Sequence, residues 1–230
     1  MACVPTGHLF YWQVGGTGHG DGRAMLTINC EQIGKKYRKE WIFRRVNLSL
    51  TAGTSYTFVG PNGSGKSTLL QLIAGSLPAT EGKLTYTVAG QDLEPDDWFR
   101  QVSIAAPYLE LVEELTLDEL LLFHQTFKPF KANLTPEVIA DRLLLTHARH
   151  KEIKYFSSGM KQRVKLGLAF FSNSSVVILD EPTANLDRQG AAWYQDQVRQ
   201  LSPDQLLLIG SNQPEEYDFC PNVLDVIQWK

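Results

Sequence analysis

Gly60-Pro61-Asn62-Gly63-Ser64-Gly65-Lys66-Ser67-Thr68 is the stretch on which the reading of this chain turns. The apolar run Tyr56-Thr57-Phe58-Val59 leads into it, and Leu69-Leu70-Gln71-Leu72-Ile73-Ala74 leads out with helical spacing. Strand, glycine loop and helix are the setting of a phosphate-binding loop. Glycines let successive backbone N–H groups turn inward onto one anion, and the helix N-terminus adds its partial positive charge. In such a loop Lys66 reaches the β- and γ-phosphates, and the Ser67 hydroxyl is a ligand for Mg²⁺.

The 230 residues suffice for one domain with a full core, with room for a subdomain. Hydrophobic content of 43% and charged content of 20% are those of an ordinary globular protein. A net charge of −3 gives no reason to expect a nucleic-acid partner or an anionic membrane surface. Cys3, Cys30 and Cys220 lie far apart and read as free thiols in a reducing cytosol. No apolar run approaches the length of a membrane span, so any work at a membrane requires another chain to cross it.

Residues 1–24, with the glycine-rich Val14–Gly22 run, show no hydrophobic periodicity and read as a flexible leader, neither a dinucleotide fingerprint nor a signal peptide. Strands are expected from Met25, over Val46–Leu50, before the glycine loop, and over Leu84–Val88 after a turn at Glu81-Gly82-Lys83. Several strands before a second helix suggest an antiparallel layer beside a nucleotide core. Tyr37, in the polar turn Lys35–Glu40, either stacks on an adenine or closes a hairpin, and position alone does not decide. The first helix is expected to end at Leu77-Pro78, and a buried strand to run over Gln101–Ala106.

Thr116-Leu117-Asp118-Glu119 has capping-box spacing, and Thr135-Pro136-Glu137 opens a helix expected to run through Leu145. Residues 108–155 therefore read as a helical insertion on which a partner could dock. His147 and His150 are one helical turn apart, but with no third ligand nearby they read as a solvated face rather than a metal site. Ser157-Ser158-Gly159 opens another helix, a capped start and a potential anion site. Val176-Val177-Ile178-Leu179-Asp180-Glu181 reads as a strand buried on both faces in a parallel sheet, with two carboxylates where such sheets place ligands. Beside a phosphate loop, Asp180 would hold Mg²⁺ and Glu181 would orient or deprotonate the attacking water. Gln205–Gly210 reads as one more buried strand, and Val223–Ile227 as an alternating edge strand.

Together these residues resemble the ATP-binding-cassette (ABC) ATPase family from Met25 to the C-terminus. The glycine loop matches Walker A, Phe156–Met160 stands at the LSGGQ signature, Val177–Glu181 matches Walker B with its catalytic glutamate, and Ala184-Asn185-Leu186-Asp187 matches the D-loop. The resemblance implies an α/β fold: a nucleotide core of mainly parallel strands, an antiparallel β subdomain and an inserted helical subdomain. It implies ATP and Mg²⁺ as ligands, with Tyr37 as the adenine-stacking aromatic. It implies a head-to-tail homodimer or heterodimer in which Ser157 and Gly159 of one copy meet the γ-phosphate held by the other, with Asp187 of the D-loop also among the nucleotide-binding residues. Transmembrane permease subunits dock on the helical insertion in this family, which implies a cytoplasmic protein peripheral to the membrane. The Ser157–Arg163 run is similar to exporter-type cassettes.

Two positions depart from the family. Its glutamine after the strand ending near Ala106 is replaced by Pro107, with Glu110 or a backbone carbonyl as substitutes, and its histidine after the last core strand by Asn212. An amide can hydrogen-bond a γ-phosphate but cannot carry positive charge. These departures keep open an ATP-binding switch with weak hydrolysis. A soluble cassette acting on ribosomes or DNA is the other rival, against which the chain shows one cassette and neither a coiled coil nor a zinc motif.

Overall fold

The computed structural model of the chain describes residues 25–132 and 134–230, so the leader lies outside the described residues. Its centre is a five-stranded parallel sheet ordered β6-β7-β8-β3-β9: Val102–Ala105, Val176–Asp180, Leu206–Gly210, Ser55–Val59 and Asn222–Asp225. β7 and β8 are buried at every position, as their unbroken apolar sequences require. A four-stranded antiparallel sheet ordered β2-β1-β4-β5 comprises Glu40–Thr51, Leu26–Tyr37, Glu81–Val88 and Gln91–Asp92. This is the expected α/β class with its antiparallel layer.

The parallel sheet divides the apolar interior. Val176, Ile178, Leu206 and Leu208 face one cluster, with Ile28, Ile33, Phe43 and Val46 of the antiparallel layer and Leu69, Leu70 and Ile73 of helix α1 (Lys66–Ile73). Val177, Leu179, Leu207 and Ile209 face the other, beneath α3 (Leu117–Phe127), α4 (Pro136–Arg142), α5 (Ser158–Phe171) and α6 (Arg188–Arg199). The period-two alternation of side chains across a strand produces this division.

In the helical segment the Thr116 hydroxyl accepts from Glu119 N–H at 3.3 Å while the Glu119 carboxylate accepts from Thr116 N–H at 2.8 Å, the reciprocal pair that its spacing predicts. Arg149 ties α3 to α4, with Nε 3.0 Å from Asp118 and Nη1 2.7 Å from Glu137. His147 lies in a short 3-10 turn, and the exposed His150 has Nδ1 3.6 Å from Asp118.

Several boundaries move. β1 continues to Tyr37, and the expected polar turn shrinks to Arg38-Lys39, with Arg38 at φ +53°. Glu81-Gly82-Lys83 is strand, not turn. Gly82 (φ +85°) faces a bulge in β1, where a Cβ would come within 2.4 Å of the Gln32 carbonyl. α1 stops at Ile73, before Leu77-Pro78, because Gly75 (φ +78°) turns the chain and the Ser76 N–H bonds the Gln71 carbonyl at 3.0 Å. α4 stops at Arg142, since Leu144 at φ +60° lets Leu143 and Leu145 both point into the core. The last strand ends at Asp225, where a 3-10 turn over Val226–Trp229 begins. α2 (Pro95–Gln101) was not anticipated, although Pro95 with Asp96 and Asp97 forms a favourable helix start. Among the described residues no helix is long and apolar enough to cross a membrane.

Candidate nucleotide site

The glycine loop leaves β3 at Gly60 and enters α1 at Gly65. Gly65 holds φ +107°, and a Cβ there would lie 2.6 Å from Ile42 Cγ2 and 3.2 Å from Phe43 Cδ1 of β2. The loop is thus seated directly on the antiparallel layer, at a backbone angle that a side chain resists. Ser64 N–H bonds the Pro61 carbonyl at 3.0 Å, and no side chain caps α1. The free N–H groups of the first turn of α1 remain available to an anion, with Thr68 half-buried alongside. Lys66 is buried, and its Nζ donates to the Gly60 carbonyl at 2.7 Å. Its charge is therefore held across the loop rather than extended into solvent.

Asp180 closes β7, two strands from the loop in the sheet, and is 1% exposed. The Ser67 hydroxyl is close enough to favour its ionised form, yet Oδ1 has no hydrogen-bond partner among the described residues. Burial pushes its pKa up to about 6, aided by the charges of Glu181 and Glu216, and outweighs the lowering effects of Ser67 and Lys66. Gly210, paired with Asp180 across β7 and β8, is what admits the carboxylate: a Cβ there would lie 2.9 Å from Asp180 Oδ1 and 2.7 Å from Leu70 Cδ1. Glu181 follows at φ +44°, a conformation that a non-glycine residue holds only under constraint, and its N–H donates to the Gly210 carbonyl at 2.8 Å.

Two buried side chains supply that constraint, and no local pattern in the chain points to either. Glu216, 1% exposed, accepts from Thr183 N–H at 2.8 Å and from the Thr183 hydroxyl, while its carbonyl accepts from the Tyr194 hydroxyl at 2.8 Å. Gln162 of α5 donates Nε2 to the Pro182 carbonyl at 2.9 Å. Glu216 sits in a polar run, Gln213–Tyr217, whose role depends on the chain folding back from β8 onto the turn after β7.

Asn212, just beyond β8, lies against the phosphate loop. Its Oδ1 accepts from Gly60 N–H at 3.0 Å, and its Nδ2 is 3.4 Å from Asn62 Oδ1. Lys66, Ser67, Asp180, Glu181 and Asn212 therefore converge at the carboxyl edge of the sheet, where open α/β sheets bind ligands.

The remaining sequence candidates lie elsewhere. Tyr37 ends β1 with its ring 47% exposed and the Lys35 ammonium 5.3 Å from its centroid. It closes the hairpin, and the same hairpin carries Ile42 and Phe43 beneath Gly65. Ser157 caps α5, accepting from Met160 N–H at 3.2 Å, and a Cβ at Gly159 would have the Asn185 carbonyl 3.0 Å away. Asp187 caps α6, accepting from Gly190 N–H at 2.7 Å, with Arg163 3.6 Å from the same oxygen. Cys30 and Cys220 are free and buried.

The ABC transporter family model matches residues 43–184, which run from β2 through the phosphate loop, helical segment and Walker B strand. The chain is 33% identical to the cytochrome c biogenesis ATP-binding export protein CcmA of Mesorhizobium japonicum, over 74% of this chain and 83% of that protein. It is 26% identical to human ATP-binding cassette sub-family A member 2 over 88% of its own length, but spans 8% of that much longer protein. Its fold superposes with a TM-score of 0.75 on an ATP-binding cassette solved as a post-hydrolysis dimer with ADP and phosphate, at 19% identity over 86% of this chain and 93% of that one. With the family model covering more than half its length, the chain belongs to the ABC transporter family and carries that family's ATP-binding ATPase domain.

Proposed function

We propose that the chain hydrolyses Mg²⁺·ATP as one half of a head-to-tail pair of cassettes and that this cycle powers export through separate membrane subunits. The supporting observation is the Asp180 carboxylate, buried with Oδ1 unpartnered beside the Ser67 hydroxyl, next to an uncapped glycine loop. Mg²⁺ fits this pair, being a hard cation that takes one or two protein oxygens and keeps several waters. When bound it would neutralise charge on the β- and γ-phosphates. Lys66 turns from the Gly60 carbonyl to the same phosphates. Glu181 accepts the proton of a water whose oxygen bonds the γ-phosphorus as the bond to the β-phosphate oxygen breaks, giving ADP and phosphate. Ser157 and Gly159, at the exposed start of α5, meet the γ-phosphate of the partner copy, and Tyr37 stacks on the adenine.

An apolar groove is where the membrane subunit would bind. A groove of about 330 Å³ between β6 and the helical segment is lined by Leu109, Leu111, Val112, Phe99, Phe123 and Phe127. Three of these rings, those of Phe99, Phe123 and Phe127, are half or more exposed, an apolar surface suited to a partner segment. The chain would then sit at the cytoplasmic face of the membrane. The test is phosphate release by the purified protein with and without Mg²⁺, followed by co-purification with its neighbouring membrane proteins; absence of Mg²⁺-dependent release even with the partner present favours the switch reading.

Two variants probe the site. Asp180 has a folded-state pKa near 6 against 3.8 for the free side chain, so its ionised form destabilises the fold, and stability at this site falls as pH rises from about 4 to 6. Asp180→Asn is therefore expected to be more stable than wild type in metal-free buffer at pH 7, by about 3 kcal/mol, with the gap closing toward pH 4. It should nevertheless lose Mg²⁺-dependent turnover. Denaturant titrations at the two pH values check the first effect. Asn212→Ala removes the acceptor for Gly60 N–H and a polar group facing the γ-phosphate, and should slow phosphate release by about tenfold. Asn212→His should be tolerated in the same assay.

A further inference from the structure

Lys35 is a buried cation without a carboxylate. It lies in β1 opposite Phe43 of β2 and is 7% exposed. Its Nζ donates to the Pro78 carbonyl at 2.7 Å, and among the described residues no salt bridge reaches it. Burying an ammonium against one backbone carbonyl costs more than burying a neutral side chain there. What the ammonium also faces is Tyr37, two residues on and so on the same face of the strand, with the ring centroid 5.3 Å from Nζ. The same stretch is clamped to the chain that follows α1. Thr80 N–H donates to the Gly34 carbonyl at 2.8 Å and Lys36 N–H to the Thr80 hydroxyl at 3.1 Å, on either side of the Lys35–Pro78 bond. At the other end of α1 the hairpin lies under Gly65 of the phosphate loop, through Ile42 and Phe43. Contacts at both ends of α1 thus fix where Tyr37 stands relative to the phosphate loop.

We propose that Lys35 is a positioning residue for the base of bound ATP: its ammonium, pinned by the Pro78 carbonyl, holds the Tyr37 ring so that the adenine stacks on the surface Lys35 leaves open. The proposal rests on the reading above that the chain binds ATP with Tyr37 on the adenine. Tyr37 is half-exposed, so its ring has surface to offer a ligand beyond what Lys35 covers. A cation against one face draws the ring's electron density toward itself, which suits the other face to an electron-rich purine. A neutral donor could bond Pro78 equally well, but only a cation also attracts the ring. Lys35 acts on the nucleotide solely through Tyr37.

A double-mutant cycle on the full chain, read by calorimetric titration with ATP, tests this. Tyr37→Ala should lose about tenfold or more of affinity, the loss of one base–aromatic stack. Lys35→Met removes the charge and keeps the length, and should lose about three- to tenfold. Lys35→Gln, which keeps a donor for Pro78, should lose as much, and Lys35→Arg should bind close to wild type. In the Tyr37→Ala background Lys35→Met should cost nothing further. Equal affinities of wild type and Lys35→Met would overturn the proposal while leaving the ATP reading in place. The same loss with and without Tyr37 overturns it too, because Lys35 would then be shaping the loop, and so does failure of both Lys35→Met and Lys35→Gln to fold. Wild-type affinity in Tyr37→Ala removes the stacking and this proposal with it. Failure of wild type to bind ATP overturns the ATP reading itself.

Discussion

Glu181→Gln is expected to bind ATP, to accumulate as a nucleotide-bound dimer and to release phosphate about 10²- to 10⁴-fold more slowly than wild type. Glutamine has the same shape but no free carboxylate to take the proton of the attacking water. Glu181 is set at φ +44° by the Gly210 carbonyl and by the turn that Glu216 and Gln162 hold from either side, none of which the substitution touches. Loss of turnover should therefore come without loss of stability. Phosphate release measures the rate, and size-exclusion chromatography with ATP measures the dimer. Retention of most of the activity would remove Glu181 from the mechanism.

Lys66→Ala should weaken ATP binding by about a hundredfold or more, because charge-assisted hydrogen bonds to two phosphates are lost together. The ammonium is held at the Gly60 carbonyl, within the loop it would serve. Its removal leaves two backbone oxygens, Gly60 and Pro61, to be bonded by water, so the fold should remain intact. Calorimetric titration with ATP, alongside a melting curve, separates the two effects. Near-wild-type affinity in a folded variant would sink the phosphate-loop assignment.

What could be read before the structure depended on how local each feature is. The phosphate loop, the Thr116 capping box and the β7 strand each carry their whole signal within a few residues, and each stands where the sequence puts it. Element ends were read less well. Leu144 and Gly75 stop their helices through left-handed backbone angles, and Leu144 does so only because two neighbouring leucines must enter the core. Glu216 and Gln162 were missed altogether, because each acts through a partner far away in the chain, Thr183 and Pro182. A side chain's partner across such a separation is set by the sheet order, which no local pattern encodes.

The central sheet also bears on how change can accumulate in this protein. Val176 and Val177 are neighbours in the chain, yet one packs toward the phosphate loop and the other toward the helices. Substitutions on opposite faces share no side-chain partner, so their effects on stability should sum, whereas those on one face should interact. The helical face can therefore be rebuilt residue by residue while the packing behind the phosphate loop stays as it is. One face can then drift in sequence without altering the nucleotide-handling half behind it.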